Sequence, residues 1–169
     1  MVSAPTRTTA RQIVARVVDP EMPMLTLEDL GVVRGVDVEG ETVLVTITPT
    51  YSGCPAIEEM RDDLRAALTA GGYASVEVRT VFSPAWSTDW ISEHGLRKLA
   101  EAGIAPPGRT RPRTAGPIPL TLGPPSSAVR CPQCGAAATE ELSRFGPTAC
   151  TALRRCPACR EPFEHMKEI

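Results

Sequence analysis

Six cysteines carry most of the chemistry that this 169-residue sequence offers. Four form two Cys-x-x-Cys pairs, Cys131-Pro-Gln-Cys134 and Cys156-Pro-Ala-Cys159, with 21 residues between them. That spacing is typical of a four-cysteine zinc ribbon. Each pair fits on a tight turn that aims two thiolates at one ion, and Gly135 relieves the backbone after the first turn. Four thiolates close a tetrahedral shell and leave no open position for catalysis. Segment 130–169 offers few core residues, so metal binding should supply much of its folding free energy. Two disulfides would need an oxidising compartment, and a thioredoxin-like redox pair needs a strand–helix context that this segment lacks. The fifth cysteine, Cys150, reads as a buried thiol, a substitute ligand or a participant in transfer.

The sixth, Cys54, stands alone in TPTYSGCPA, where a strand-like run gives way to a helix-like one. Pro55 suits the first helical position and puts Cys54 at the N-cap or within a residue of it. There the helix dipole lowers a thiol pKa, while Glu58 and Glu59 one turn in oppose that shift. Nucleophilic use would require a base. His94 and His165 are the only histidines, and both read as surface or locally satisfied side chains. No Gly-rich phosphate loop or H-E-x-x-H pattern is present, so the chain does not read as an enzyme. Cys54 is left as a buried small hydrophobe, a nucleophile, or a metal or sulfur ligand. Asp19 and Glu21, in the proline-fixed stretch DPEMPM, are either oxygen ligands or local caps. Trp86 and Trp90 either close the core or form a partner-binding edge.

The elements around these residues follow from periodicity. Thr9–Val18 reads as a short helix with a Thr9/Gln12 capping box. Thr26 and Asp29 open a helical turn that Gly31 closes. Val32–Val38 and Thr42–Thr48 form a hairpin across Glu39-Gly40-Glu41. A helix from Pro55 to Gly71-Gly72 then connects to a strand at Ser75–Phe82, a crossover that makes the second and third strands parallel. One more helix is expected over Asp89–Ala102, capped by Ser87 or Thr88. The fold class is α/β (α+β): a small mixed three-stranded sheet with helices on one face, followed by the ribbon.

Seven prolines between Pro106 and Val129, with Arg109, Arg111 and Arg113 and no acid, mark a linker. The expected domains are 1–104, a linker over 105–129, and 130–169. A net charge of -2 shows no bias toward nucleic acid, and segment 130–169 has six basic against five acidic residues. There is no apolar run of the roughly 18 residues a membrane span needs and no signal-peptide pattern. A cytoplasmic location is expected, without nucleic-acid or membrane partners.

DPEMPMLTLEDLG followed by TPTYSGCPA resembles the iron–sulfur cluster assembly family that includes SufT-like proteins, over about residues 8–82. SPAWSTDWISEHGLRKLAEAGIAPP and CPQCG…GPTACTALRRCPAC are similar to accessory subunits encoded with the multicomponent phenylacetyl-CoA ring-1,2-epoxidase. The resemblance implies that Cys54 takes part in metal–sulfur cluster handling, with Asp19 and Glu21 lining the same site. It also implies a role in maturing the epoxidase, whose di-iron oxygenase and iron–sulfur reductase subunits are the candidate clients. The catalytic oxygenase role is not implied, and the sequence has no Glu-x-x-His pair for a di-iron site. Cys150 falls within the matching GPTAC segment, which favours a role for it. One cysteine does not hold a stable cluster, so ligation across a homodimer or shared with a client is expected. Zinc is the expected resident cofactor, and transient iron or an iron–sulfur cluster the expected cargo. The alternative is a structural interaction protein that docks through the ribbon, with Cys54 simply buried.

Overall fold

The computed structural model describes residues 7–40, 42–108 and 128–169; residues 109–127 of the expected 105–129 linker, and the turn residue Glu41, lie outside them. Two compact units divide between Ala102 and Gly103. Among the described residues no helix is long and apolar enough to cross a membrane.

In the first unit, helix α1 (Arg7–Val14) precedes a hairpin of β1 (Val33–Glu39) and β2 (Thr42–Ile47). Helix α2 (Ile57–Ala70) then crosses to β3 (Ser75–Thr80). The sheet order is β1-β2-β3, antiparallel at the first pair and parallel at the second. The alternation on β2 resolves into burial of Val43, Val45 and Ile47, joined by Val36 and Val78 from its neighbours. Met60, Leu64 and Leu68 of α2 supply the opposing buried stripe. The opposite sheet face carries exposed Asp37, Glu77 and Arg79, the usual pattern of a half-solvated sheet.

Three expectations shift, each because a specific hydrogen bond wins. The first helix already spans Thr9 and ends at Val14. Beyond it Arg16 and Val17 bond back only three residues, and Val17–Asp19 then pairs with Leu25–Leu27. The second helix starts at Ile57, because Cys54 and Ile57 each close a three-residue turn, Cys54 N to Tyr51 O and Ile57 N to Cys54 O. The expected helix over 89–102 is a 3-10 turn (Thr88–Trp90) followed by α3 (Glu93–Glu101). Ser92 interrupts it: its N–H donates to the Asp29 carbonyl, and its Oγ accepts from Gly95 N to start α3 afresh.

The second unit contains a three-stranded antiparallel sheet of β4 (Glu140–Ser143), β5 (Thr151–Arg155) and β6 (Pro162–Met166), in that order. Ala105 joins it by exchanging backbone hydrogen bonds with Glu164 and Met166. The apolar core here is small: Ala105, Val129 and Phe163 cluster with the cysteines Cys131 and Cys156.

Candidate functional site

The ribbon cysteines sit on two knuckles built alike. In the first, Cys131 N donates to Ala136 O and Gly135 N to Cys131 O; in the second, Cys156 N donates to Glu161 O and Arg160 N to Cys156 O. The residue after each pair is left-handed, Gly135 at φ 74° and Arg160 at φ 67°. Glycine adopts this conformation without a Cβ clash, whereas Arg160 does so at a cost. The four ligand sulfurs all lie within 4.8 Å of one another. Two edges, Cys131–Cys159 and Cys134–Cys156, measure 3.7 and 3.6 Å. A tetrahedral ion with sulfur at about 2.3 Å needs S···S edges of about 3.8 Å, so these residues fit zinc. The backbone N–H groups of Cys159 and Ala158, with the neighbouring thiols, pull Cys156 down to about 7. The Glu161 N–H acts to lower Cys159 too, but burial and the three other thiols push it up to about 12. One thiol is thus ready to ionise at neutral pH while its neighbour resists, a conflict that a divalent cation removes by favouring the thiolate throughout.

Cys54 occupies different surroundings. It lies in the loop after β2, two residues before the Ala56 N-cap, and is 6% exposed. It lines a cleft of about 250 Å³ with Pro49, Ser52, Glu58, Arg61, Thr80 and Phe82. The cleft opens at the carboxyl ends of the parallel pair β2–β3, where α/β sheets commonly take ligands. Arg61 Nη1 bonds both Glu58 oxygens, at 2.8 and 3.2 Å. Asp19 and Glu21 are not among the residues lining it. Asp19 is buried, and its Oδ1 accepts from Glu21 N and Met22 N at 2.9 and 2.7 Å. Burial raises its pKa, the two N–H groups lower it, and Glu59 adds to the rise. Glu21 is raised by burial and then by Asp19.

Residues 7–79 match the iron–sulfur cluster assembly protein family, and residues 116–167 match the PaaD zinc beta ribbon domain. A protein of Escherichia coli (strain K12) named as a subunit of 1,2-phenylacetyl-CoA epoxidase is 44% identical over 157 residues, 93% of this chain and 90% of that one. The chain belongs to the PaaD family. An Fe-S protein maturation auxiliary factor of Porphyromonas gingivalis (strain ATCC BAA-308 / W83) is 35% identical over 85 residues, 49% of this chain and 80% of that one. Among solved structures, a domain of unknown function, DUF59, from Bacillus anthracis superposes with TM-score 0.52 at 25% identity, covering 55% of this chain and 90% of that one. The conserved hypothetical protein TM0487 from Thermotoga maritima gives TM-score 0.50 at 26% identity, covering 59% and 98%.

The remaining candidates of this PaaD family member are held by local structure. Trp86 is buried, and its Nε1 donates to Leu30 O at 2.9 Å. Trp90 is half-buried and stacks under the Arg34 guanidinium, 3.6 Å from the ring centroid. Cys150 is buried outside the four-sulfur group, its Sγ 3.1 Å from Thr148 Oγ1. His94 is exposed, with Nδ1 2.9 Å from Asp29 Oδ1. His165 is buried, its Nε2 has no partner among the described residues, and burial followed by Arg154 lowers it to about 4.

Periodicity treated Asp29 only as half of a turn-capping pair. That pair is present: Asp29 N donates to Thr26 Oγ1, and Thr26 N to Asp29 Oδ2. The same carboxylate also accepts from Lys98 Nζ at 2.8 Å and Ser92 Oγ at 3.1 Å. These partners lie more than sixty positions away in sequence, so no local pattern announces them.

Proposed function

We propose that this chain is an accessory protein of a phenylacetyl-CoA 1,2-epoxidase, acting in maturation of its iron or iron–sulfur centres and not in the oxygenation itself. The match to the Escherichia coli epoxidase protein across nine-tenths of both chains carries the reading. It is supported by the assembly-family domain on the same chain and by the similarity to an Fe-S protein maturation auxiliary factor. In this reading Cys131, Cys134, Cys156 and Cys159 hold zinc, which, when bound, supplies the folding free energy of a module for docking to an epoxidase component. Cys54, at the carboxyl ends of the parallel strands, makes transient contact with iron or a cluster as cargo. The cargo's other ligands come from the client or from a second copy of the chain.

The test is to co-produce the epoxidase subunits with wild-type protein or Cys54→Ala, then measure iron, acid-labile sulfide and epoxidase activity. Iron content and activity should fall together several-fold in the variant. Full iron content and activity with Cys54→Ala would sink the maturation role. A second reading, a purely structural docking protein, draws on the low exposure of Cys54. Alkylation of the native protein separates the two: a thiol that handles cargo is labelled without unfolding, and a structural one is not.

A further inference from the structure

Among the described residues the two sheets end in four outer strands, β1 and β3 in the first unit, β4 and β6 in the second. An outer strand offers unpaired backbone groups to any passing chain, and proteins usually blunt it. Three of these four are blunted. The register of β1 shifts at Val33/Gly35 and that of β4 at Glu141/Ser143, and irregularities of this kind bend an edge away from pairing. Strand β6 is met by Ala105. Strand β3 has neither device: it runs in unbroken register along β2 from Ser75 to Thr80, and among the described residues nothing pairs with its other side. Val81 N donates to Ile47 O, and in a ladder alternate residues turn their backbone to the same neighbour. Glu77 and Arg79 therefore turn their backbone groups to β2, and Val76, Val78 and Thr80 turn theirs outward.

We propose that the β3 edge is a self-association surface, on which a second copy of this chain pairs its own β3 antiparallel about a two-fold axis at Val78. The charges on the strand select this occupant and this register. Glu77 and Arg79 are exposed on the solvent face, with opposite signs either side of Val78. With the axis at Val78, Glu77 faces the partner's Arg79 and Arg79 faces the partner's Glu77, so each attraction is made twice. Moving the axis one residue either way sets Glu77 against Glu77 or Arg79 against Arg79. The same axis sets Val78 opposite Val78 and Val76 opposite Thr80, the residues whose N–H and C=O groups point outward, so the backbone and the charges agree on one register. The pairing also carries Phe82, exposed and two residues past β3, to the start of the partner's β3. Thr80, which lines the Cys54 cleft, then lies about 13 Å along the strands from its counterpart, at the opposite end of the joined sheet. Each copy keeps its own cleft, and one ion at Cys54 is not shared between the two.

The test uses the full-length, zinc-replete chain in sedimentation equilibrium from low micromolar to submillimolar concentration. The wild type should pass from monomer to dimer. Glu77→Arg and Arg79→Glu should each weaken the dimer about tenfold or more, because two facing pairs change from attraction to repulsion. An equimolar mixture of the two variants should associate again as a heterodimer, since every facing pair is once more opposite in sign. Within either variant chain the two charges stay alike, so no effect inside one chain produces that rescue. Hydrogen exchange on the wild type reads the edge without any substitution: the Val76, Val78 and Thr80 amides should slow as concentration rises, while the β1 amides stay unchanged. A wild type that sediments as a monomer throughout would overturn the proposal, including one whose β3 amides are protected only when an epoxidase component is added. So would a dimer that both single variants leave intact, a mixture that fails to associate, or β3 amides whose exchange ignores concentration. The inference does not draw on the maturation reading, and a monomeric result leaves the iron content measured with Cys54→Ala to decide that role by itself.

Discussion

The two cysteine regions of this molecule solve opposite problems. In the first unit, one cysteine is added to a domain that already has a core, with Val43, Val45, Ile47, Leu64 and Leu68 all fully buried. In the second, four cysteines stand where a core would be, and two of them, Cys131 and Cys156, belong to its small apolar cluster. A lone thiol on a self-sufficient scaffold can be removed without unfolding it. The ribbon thiols are part of what holds their unit together. The same residue type is therefore separable from stability in one unit and inseparable from it in the other.

The largest expected effect would break this contrast if it failed to appear. Removing zinc with a chelator, or making Cys156→Ser, should unfold the ribbon while the first unit keeps its structure. The folding free energy at stake is about 10 kcal/mol at neutral pH by comparison with zinc-finger peptides. Amide spectra before and after chelation read this directly. Loss of signals from β1–β3 along with β4–β6 would show that the units do not stand apart.

An intermediate effect sharpens the self-sufficiency of the first unit. Asp29→Ala should cost about 2–3 kcal/mol in urea denaturation, since it strips partners from Lys98, Ser92 and the Thr26 N–H. Burial alone would raise this carboxyl, but Lys98, the Thr26 N–H, His94 and Ser92 hold it well below the usual carboxylate range. With the folded pKa depressed, its contribution is fully present above the unfolded value of about 3.8 and is lost as pH falls below it. The difference between wild type and Asp29→Ala should therefore narrow on acidification below about pH 4.

Sequence reading reached the two regions unevenly. The Cys-x-x-Cys pairs are local, and ligand geometry does the rest, so spacing alone identified the ribbon. The strands and the parallel crossover were equally legible, because Val43, Val45 and Ile47 alternate without interruption. The Cys54 cleft was half legible. Pro55 marked the corner, but the turn bonds that delay the helix to Ile57 compete with it through the backbone, where side-chain pattern is silent. Arg61 and Thr80 stand on different elements, α2 and β3, and line the same cleft, a juxtaposition that no local pattern announces. Ser92 splitting the last helix was hidden for the same reason: its partner, the Asp29 carbonyl, is 63 positions away.

The smallest expected effect compares the knuckles with each other. Gly135→Ala should destabilise the zinc-bound ribbon by about 1 kcal/mol, because it puts a Cβ at a left-handed position. Arg160→Gly should be near neutral, since relief of that strain is offset by the greater freedom of glycine in the unfolded chain. Thermal melts of the holo-protein measure both. An equal loss in the two variants would show that left-handed strain is not what distinguishes the knuckles.

Gly31 carries one more consequence. A Cβ there would lie 2.5 Å from the carbonyl oxygen of Trp90 and 2.7 Å from its Cβ, so the Thr26–Gly31 turn and the Thr88–Trp90 turn meet with no room for a side chain at residue 31. The first turn is closed by bonds within five residues and can form early in folding. The second comes from more than fifty residues away, so bringing the two together closes a long loop. The segment from Trp86 to Glu101 is expected to be the later contact, with its seal at a glycine. Native-state hydrogen exchange would see it open as a unit of its own, ahead of the sheet.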